Sequence, residues 1–153
     1  MLAQSLQRPF FDSDEEVERI IGRSISAFFA EEGEAAFRTL ERAVIGRLLD
    51  EPGPSVVAIG GGGFSEHVTR TRILAEAVAV WLDVKETVLV ERLRNSGARP
   101  LFEGKDVTVA LRELSAARLP HYAQAQIRIA GGTSTEMVDG IVAALRKLPE
   151  ERL

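Results

Sequence analysis

Short apolar runs alternate with longer segments whose apolar positions recur every three or four residues. Over 153 residues, that alternation predicts an α/β protein with a mostly parallel, buried sheet. "RPFF", ending at Asp12, predicts a first strand. "SVVAIGGGG" predicts a second, buried strand that runs into a glycine turn, "AVAVWLDV" a third and "QIRIAGG" a last one. Between them, Phe37, Leu40, Val44 and Leu48 fall at helical spacing, so residues 34–49 are expected to be helical. Residues 15–22 and 24–31 predict two shorter helices hinged at Gly22, with Ser24 placed to cap the second. Further helices are expected over 85–94, 107–123 and 134–147, while Leu2, Gln4 and Leu6 read as the tail of a helix. "NSGARPLFEGKD" is rich in Gly and Pro and reads as a loop.

Composition narrows this picture. The length suits one compact domain, and 45% hydrophobic with 27% charged residues excludes a disordered chain. A net charge of −4 with no basic tract gives no footprint for nucleic acid. No stretch approaches the roughly 20 apolar residues that span a bilayer, so a cytosolic protein without a membrane partner is expected. With no cysteine and only His67 and His121, disulfides, thiolate nucleophiles and Cys/His metal clusters are excluded. Of the 19 cationic residues only Lys85, Lys105 and Lys147 are lysines. The prevalence of Arg suits two-pronged recognition of carboxylate or phosphate.

Candidate chemistry gathers at predicted strand ends, where open α/β sheets bind ligands. Asp12 and Asp14 follow the first strand and Gly60 to Gly63 the second, which puts both on one rim. Two readings of the acids stand side by side. Either they hold magnesium or accept a proton from a substrate hydroxyl, or they cap the helix that follows. The glycines likewise allow a close approach of backbone to ligand or form a plain tight turn. They are not a P-loop, since Phe64 and Ser65 stand where Lys and Ser/Thr are required, and no other stretch supplies that motif. For Arg38, Arg99 and Arg118, each taken alone, solvated surface pairs are the default reading.

Read in order, "FFDSDEEVERIIGRSISAFFAEEGEAAFRTLE", "VVAIGGG", "VWLDV", "ERLRNSGARPLF" and "AARLPHY" closely resemble the shikimate kinase family, from about Leu2 to about Leu145. The resemblance implies a P-loop kinase-like α/β fold of the nucleoside monophosphate kinase type, three-layered with a parallel sheet. It implies transfer of the γ-phosphate of ATP to the 3-hydroxyl of shikimate, with Mg2+. Asp14 matches the acid that binds the substrate hydroxyls and takes the proton, and Asp12 the one near magnesium. Arg38 and Arg118 match the pair gripping the shikimate carboxylate, and Gly60, Gly61 and Gly62 the glycine turn of the same pocket. Glu41 matches an acid that orients Arg38. Arg99 matches a lid arginine over the phosphates, in a lid loop of about residues 94–107, and Arg92 a basic residue near the nucleotide.

Family members open with a strand and a GxxxxGK[ST] loop, whereas this chain starts inside the helix that follows them. The resemblance therefore implies a single domain over 1–153, truncated at its N-terminus and lacking its first, central strand. In the family order 2-3-1-4-5 that strand lies between "VVAI" and "VAVWL". Without it those strands either close up or leave unpaired edges through which a chain of a monomeric family associates. As an isolated polypeptide the chain is expected to turn over weakly or not at all. Two other functions remain open: a non-catalytic shikimate-binding module, and a kinase of another small polyol acid such as gluconate.

Overall fold

The computed structural model describes residues 1–95 and 106–149. Four strands and eight helices follow one another in this part of the chain. A short helix α1 (Leu2–Leu6) closes on Gln7 in the left-handed conformation. The chain then enters β1 (Phe10–Asp12), α2 (Ser13–Ile21) and α3 (Ile25–Leu49). Next come β2 (Val56–Ala58), α4 (Gly61–Ser65) and α5 (His67–Glu76). After these stand β3 (Val80–Asp83), α6 (Glu86–Asn95), α7 (Val107–Tyr122), β4 (Ile127–Ala130) and α8 (Ser134–Leu145).

Local chemistry explains most boundaries. Gly22 ends α2 at φ 68°, a left-handed stop that glycine adopts without a Cβ penalty. Ser24 then accepts from the Ala27 amide and starts α3. The two helices expected over 24–31 and 34–49 lie on one run, broken only at Gly33, whose φ of 80° and ψ of 173° leave the helical region. Thr133 and Glu136 form a reciprocal capping box that opens α8. The helix α5 was not expected from the residue pattern. Glu66 starts it by accepting from the Val68 and Thr69 amides.

Both strand ladders are parallel, β1 with β2 and β3 with β4. They form two separate two-stranded sheets among the described residues, and no ladder joins β2 to β3. The alternative in which these two strands close up on each other is therefore corrected. The strands are also less buried than their apolar runs suggest: β2 is half-buried throughout and Leu82 of β3 is 47% exposed. Each strand has a neighbour on one side only, so one edge of each stays uncovered by sheet among the described residues.

Helix α3 is the axle of the packing. Phe37, Val44 and Leu48 join Val17 of α2 in one buried cluster, backed by Phe11 of β1 and Val57 of β2. One residue on from Val44, Ile45 faces a second cluster with Phe64 of α4, Ile73 of α5 and Ala79. That arrangement anchors α4, the glycine segment, directly on α3.

Candidate active site

The register pairs Asp12 with Ala58, so β1 and β2 end level and deliver Asp12–Asp14 and Gly60–Gly63 to the same rim. The two acids divide the alternative roles between them. Asp12 is the N-cap of α2, its Oδ1 accepting from the amides of Asp14 at 2.9 Å and Glu15 at 3.4 Å. Asp14 instead carries its carboxylate to the glycine segment. A methyl group built on Gly60 would stand 3.4 Å from Asp14 Oδ1 and 3.3 Å from Glu41 Oε1.

The expected glycine turn is a single turn of helix. Gly60 is its N-cap at φ −61°, and none of Gly60 to Gly63 has a positive φ. Conformational freedom is thus not the reason for four glycines; lack of a side chain is. A Cβ on Gly61 would run into the Tyr122 hydroxyl and come within 2.9 Å of Arg118 Nη1. One on Gly62 would collide with Arg38 Nη1 and lie 2.7 Å from Arg38 Cζ. One on Gly63 would lie 2.7 Å from Ile45 Cδ1, on the core side. The bare backbone lets two guanidiniums reach one wall, Arg38 from α3 and Arg118 from α7.

Glu41 lies one turn along α3 from Arg38, and its Oε2 accepts from Arg38 Nη1 at 2.7 Å. The carboxyl is buried, with a side chain only 4% exposed. Burial pushes its pKa above the ordinary carboxylate value, against the pull of the Arg38 hydrogen bond. Asp14 adds to the rise and Arg118 counters it, so Arg38, Asp14 and Arg118 all lie within electrostatic range of Glu41. On Arg38 burial works the other way, yet the Glu41 and Glu34 carboxylates hold its pKa above the ordinary value. The Nε and Nη2 edge of Arg38 donates to Glu34 Oε1 at 3.3 and 3.2 Å, on the exposed side. Arg38 and Arg118 are therefore not the solvated surface residues of the default reading; both are half-buried against glycine.

Asp14, Arg38, Glu41, Gly60, Gly61, Gly62 and Arg118 converge, as their order along the chain suggested. Arg99 lies outside the described residues, as does most of the expected lid loop. Arg92 stands on α6, and its side chain likewise lies outside what is described. Sequence reasoning missed Tyr122. Its position four residues after Arg118 on α7 was the available signal, since i and i+4 share a helix face. Its ring lies 6.2 Å from Phe64 and 6.0 Å from Trp81, the chain's single tryptophan.

No group of three or more His, Cys, Asp or Glu among the described residues is placed to hold a metal ion. Asp12 fits a magnesium ion only as a single carboxylate, which suffices when phosphates and water complete the shell. No helix among the described residues is long and apolar enough to cross a membrane.

Comparison with known proteins fits this geometry. The sequence model described as shikimate kinase matches residues 1–146. The shikimate kinase of Caulobacter vibrioides strain NA1000 is 49% identical over 148 residues, covering 95% of this chain and 74% of that protein. That of Zymomonas mobilis is 41% identical over 146 residues, covering 94% and 82% respectively. Among solved structures, shikimate kinase from Acinetobacter baumannii in complex with shikimate superposes with a TM-score of 0.89 at 30% identity, over 97% of this chain and 85% of that one. Shikimate kinase from Aquifex aeolicus gives 0.82 at 32% identity, over 95% and 85%.

Proposed function

The chain belongs to the shikimate kinase family, and we propose that the cluster around Gly60–Gly62 is where it binds shikimate. The reaction is that of the family, transfer of the γ-phosphate of ATP to the 3-hydroxyl of shikimate. The single observation that carries the assignment is the meeting of two guanidiniums, Arg38 and Arg118, on one side-chain-free wall with Asp14 beside it. A small acidic polyol needs that combination: a cationic clamp for its carboxylate and a carboxylate facing its hydroxyls.

Arg38 and Arg118 hold the substrate carboxylate across Gly61 and Gly62. Glu41 fixes Arg38 from behind, so the guanidinium is oriented before the substrate arrives. Glu34 occupies the two-pronged Nε and Nη2 edge of Arg38 and is exposed, so it yields that edge to a substrate carboxylate at small cost. Asp14 accepts the hydroxyl proton, and the capping of α2 by Asp12 fixes the turn that aims it. Asp12 would be the protein ligand of a magnesium ion, which would supply charge neutralisation on the phosphates. The described residues hold no glycine-and-lysine cradle for those phosphates, and the chemistry they support lies on the substrate side. The roles expected of Arg99 over the phosphates and of the Arg92 side chain near the nucleotide fall outside the described residues.

Calorimetric titration with shikimate, quinate and gluconate tests the assignment. Shikimate is expected to bind best, and Asp14→Asn, Arg38→Met and Arg118→Met are each expected to weaken it by about tenfold or more. Preference for gluconate, or indifference to both arginine substitutions, would transfer the site to another acceptor.

A further inference from the structure

Arg70 of α5 is the one buried Lys or Arg among the described residues, at 7% exposure, and its hydrogen bonds there go to carbonyl oxygens rather than to a carboxylate. A buried guanidinium needs strong hydrogen-bond partners to offset lost hydration. Its partners are all parts of the site's two walls. Nη1 donates to Phe64 O at 3.3 Å and Ser65 O at 2.8 Å, the last carbonyls of the glycine helix α4. Nε donates to Gln124 Oε1 at 3.2 Å, just beyond the end of α7. Gln124 Nε2 in turn donates to Pro120 O at 3.1 Å, inside the turn that carries Arg118 and Tyr122. Proline there has no N–H to give the helix, so α7 lacks one intrahelical bond in this stretch.

Around α4, Gly60 O accepts from the Gly63 amide, Gly61 O from Ser65 Oγ and Gly62 O from the Glu66 amide. Arg70 adds hydrogen bonds that tie the end of α4, through Gln124, to the end of α7. We propose that Arg70 is a positioning residue for the carboxylate clamp, bolting the glycine helix to the last turn of α7 through Gln124 and so setting the gap between Gly61 and Arg118. This role rests on the shikimate site assigned above. A lysine keeps the charge but not the fork, and cannot serve both walls with the same geometry.

The test compares shikimate with its methyl ester, which keeps the ring and hydroxyls but not the charge, on Arg70→Met, Arg70→Lys and Gln124→Leu. Shikimate affinity is expected to fall about tenfold or more in Arg70→Met, and ester affinity by less than about threefold. Gln124→Leu changes no charge, so a selective loss there separates positioning from simple removal of a cation. If Arg70→Met fails to fold, Arg70→Lys and Gln124→Leu carry the comparison. Hydrogen exchange at the Gly63 and Glu66 amides reads the bracket without any ligand, and is expected to quicken in the variants while amides in α2 stay protected. Equal losses for acid and ester, or unmoved Gly63 and Glu66 amides, overturn the proposal. If the unsubstituted chain binds no shikimate, the site assignment falls, and exchange alone then decides whether Arg70 ties the two walls.

Discussion

Replacing Gly62 by alanine separates the wall of the site from the stability of the fold. The backbone at Gly62 is helical with negative φ, so alanine fits it without strain and gains about 1 kcal/mol in helix propensity. Its methyl group, however, would stand 2.7 Å from Arg38 Cζ and 2.9 Å from Nη2, and closer still to Nη1. Ordinary contact lies at about 3.5–4.0 Å, so the guanidinium must retreat by about 1 Å. Nη1, the atom nearest the methyl, also donates to Glu41 at 2.7 Å, a charged hydrogen bond that contributes about 1.5–3 kcal/mol and is weakened by the move. Gain and loss nearly cancel, and net stability is expected to change by no more than about 2 kcal/mol. Binding has no such compensation. A displacement of about 1 Å in a clamp residue can cost on the order of 10²-fold. Calorimetry with shikimate and thermal unfolding on the same preparations supply both readings, with Gly60→Ala, whose methyl meets carboxylates at 3.3 Å or more, as the milder control. Shikimate affinity within about threefold of the unsubstituted chain would refute the view that Arg38 binds against this wall.

Three further outcomes follow from the same geometry. Glu34→Ala frees the Nε and Nη2 edge of Arg38, and shikimate is expected to bind up to about fivefold tighter, an exposed pair being worth at most about 1 kcal/mol; weaker binding in titration would mean that Glu34 orients Arg38 rather than competing for it. Gly33→Ala places a side chain at φ 80°, ψ 173°, and is expected to cost about 1–3 kcal/mol in denaturant unfolding, although nothing within 4 Å obstructs the added carbon. Burial raises the Glu41 pKa, so shikimate affinity is expected to fall on acidification before exposed carboxylates titrate, and Glu41→Gln to lose that limb of the pH profile while binding more weakly at neutral pH.

Residue pattern put Asp12–Asp14 and Gly60–Gly63 on one rim because they sit at element boundaries, where sequence signals are strongest, whereas Arg38 and Arg118 were grouped with them only through the family resemblance. Asp12–Asp14 leave a strand, Gly60–Gly63 follow one, and Arg38 and Glu41 lie one turn apart on a helix with a clear apolar stripe. The role of the glycines was legible in part. Four in a row announce a close approach, but only the positions of Tyr122, Arg118, Arg38 and Ile45 show that each of three glycines makes room for a different partner. The helix α5 escaped because "HVTRTRILAE" mixes β-branched and charged residues with little apolar stripe, and its cap is Glu66 rather than Ser, Thr, Asp or Asn. Arg70 was invisible for a related reason. An arginine in such a stretch reads as surface, and its burial depends on Gln124, 54 residues away.

Glu41 sets stability and binding against each other. Its folded pKa is raised above the unfolded value, so the folded state holds the proton more tightly. The stability it contributes is present below the ordinary carboxylate pKa and is lost as pH rises through the raised one. At neutral pH the buried carboxylate is therefore a burden on folding, offset by Arg38 and retained where a neutral side chain would fold more readily. In the proposed site the ionised form is nevertheless the one expected to favour binding, because a carboxylate accepts from Arg38 Nη1 beside Gly62 and the other edge of the guanidinium meets only exposed Glu34. Glu16, Glu66 and Glu136 carry lowered pKa values from their hydrogen bonds to arginines or helix amides, and lose their contributions as pH falls below the ordinary carboxylate value. The direction of the Glu41 shift thus sets this buried carboxylate apart from the helix-capping and surface-paired ones.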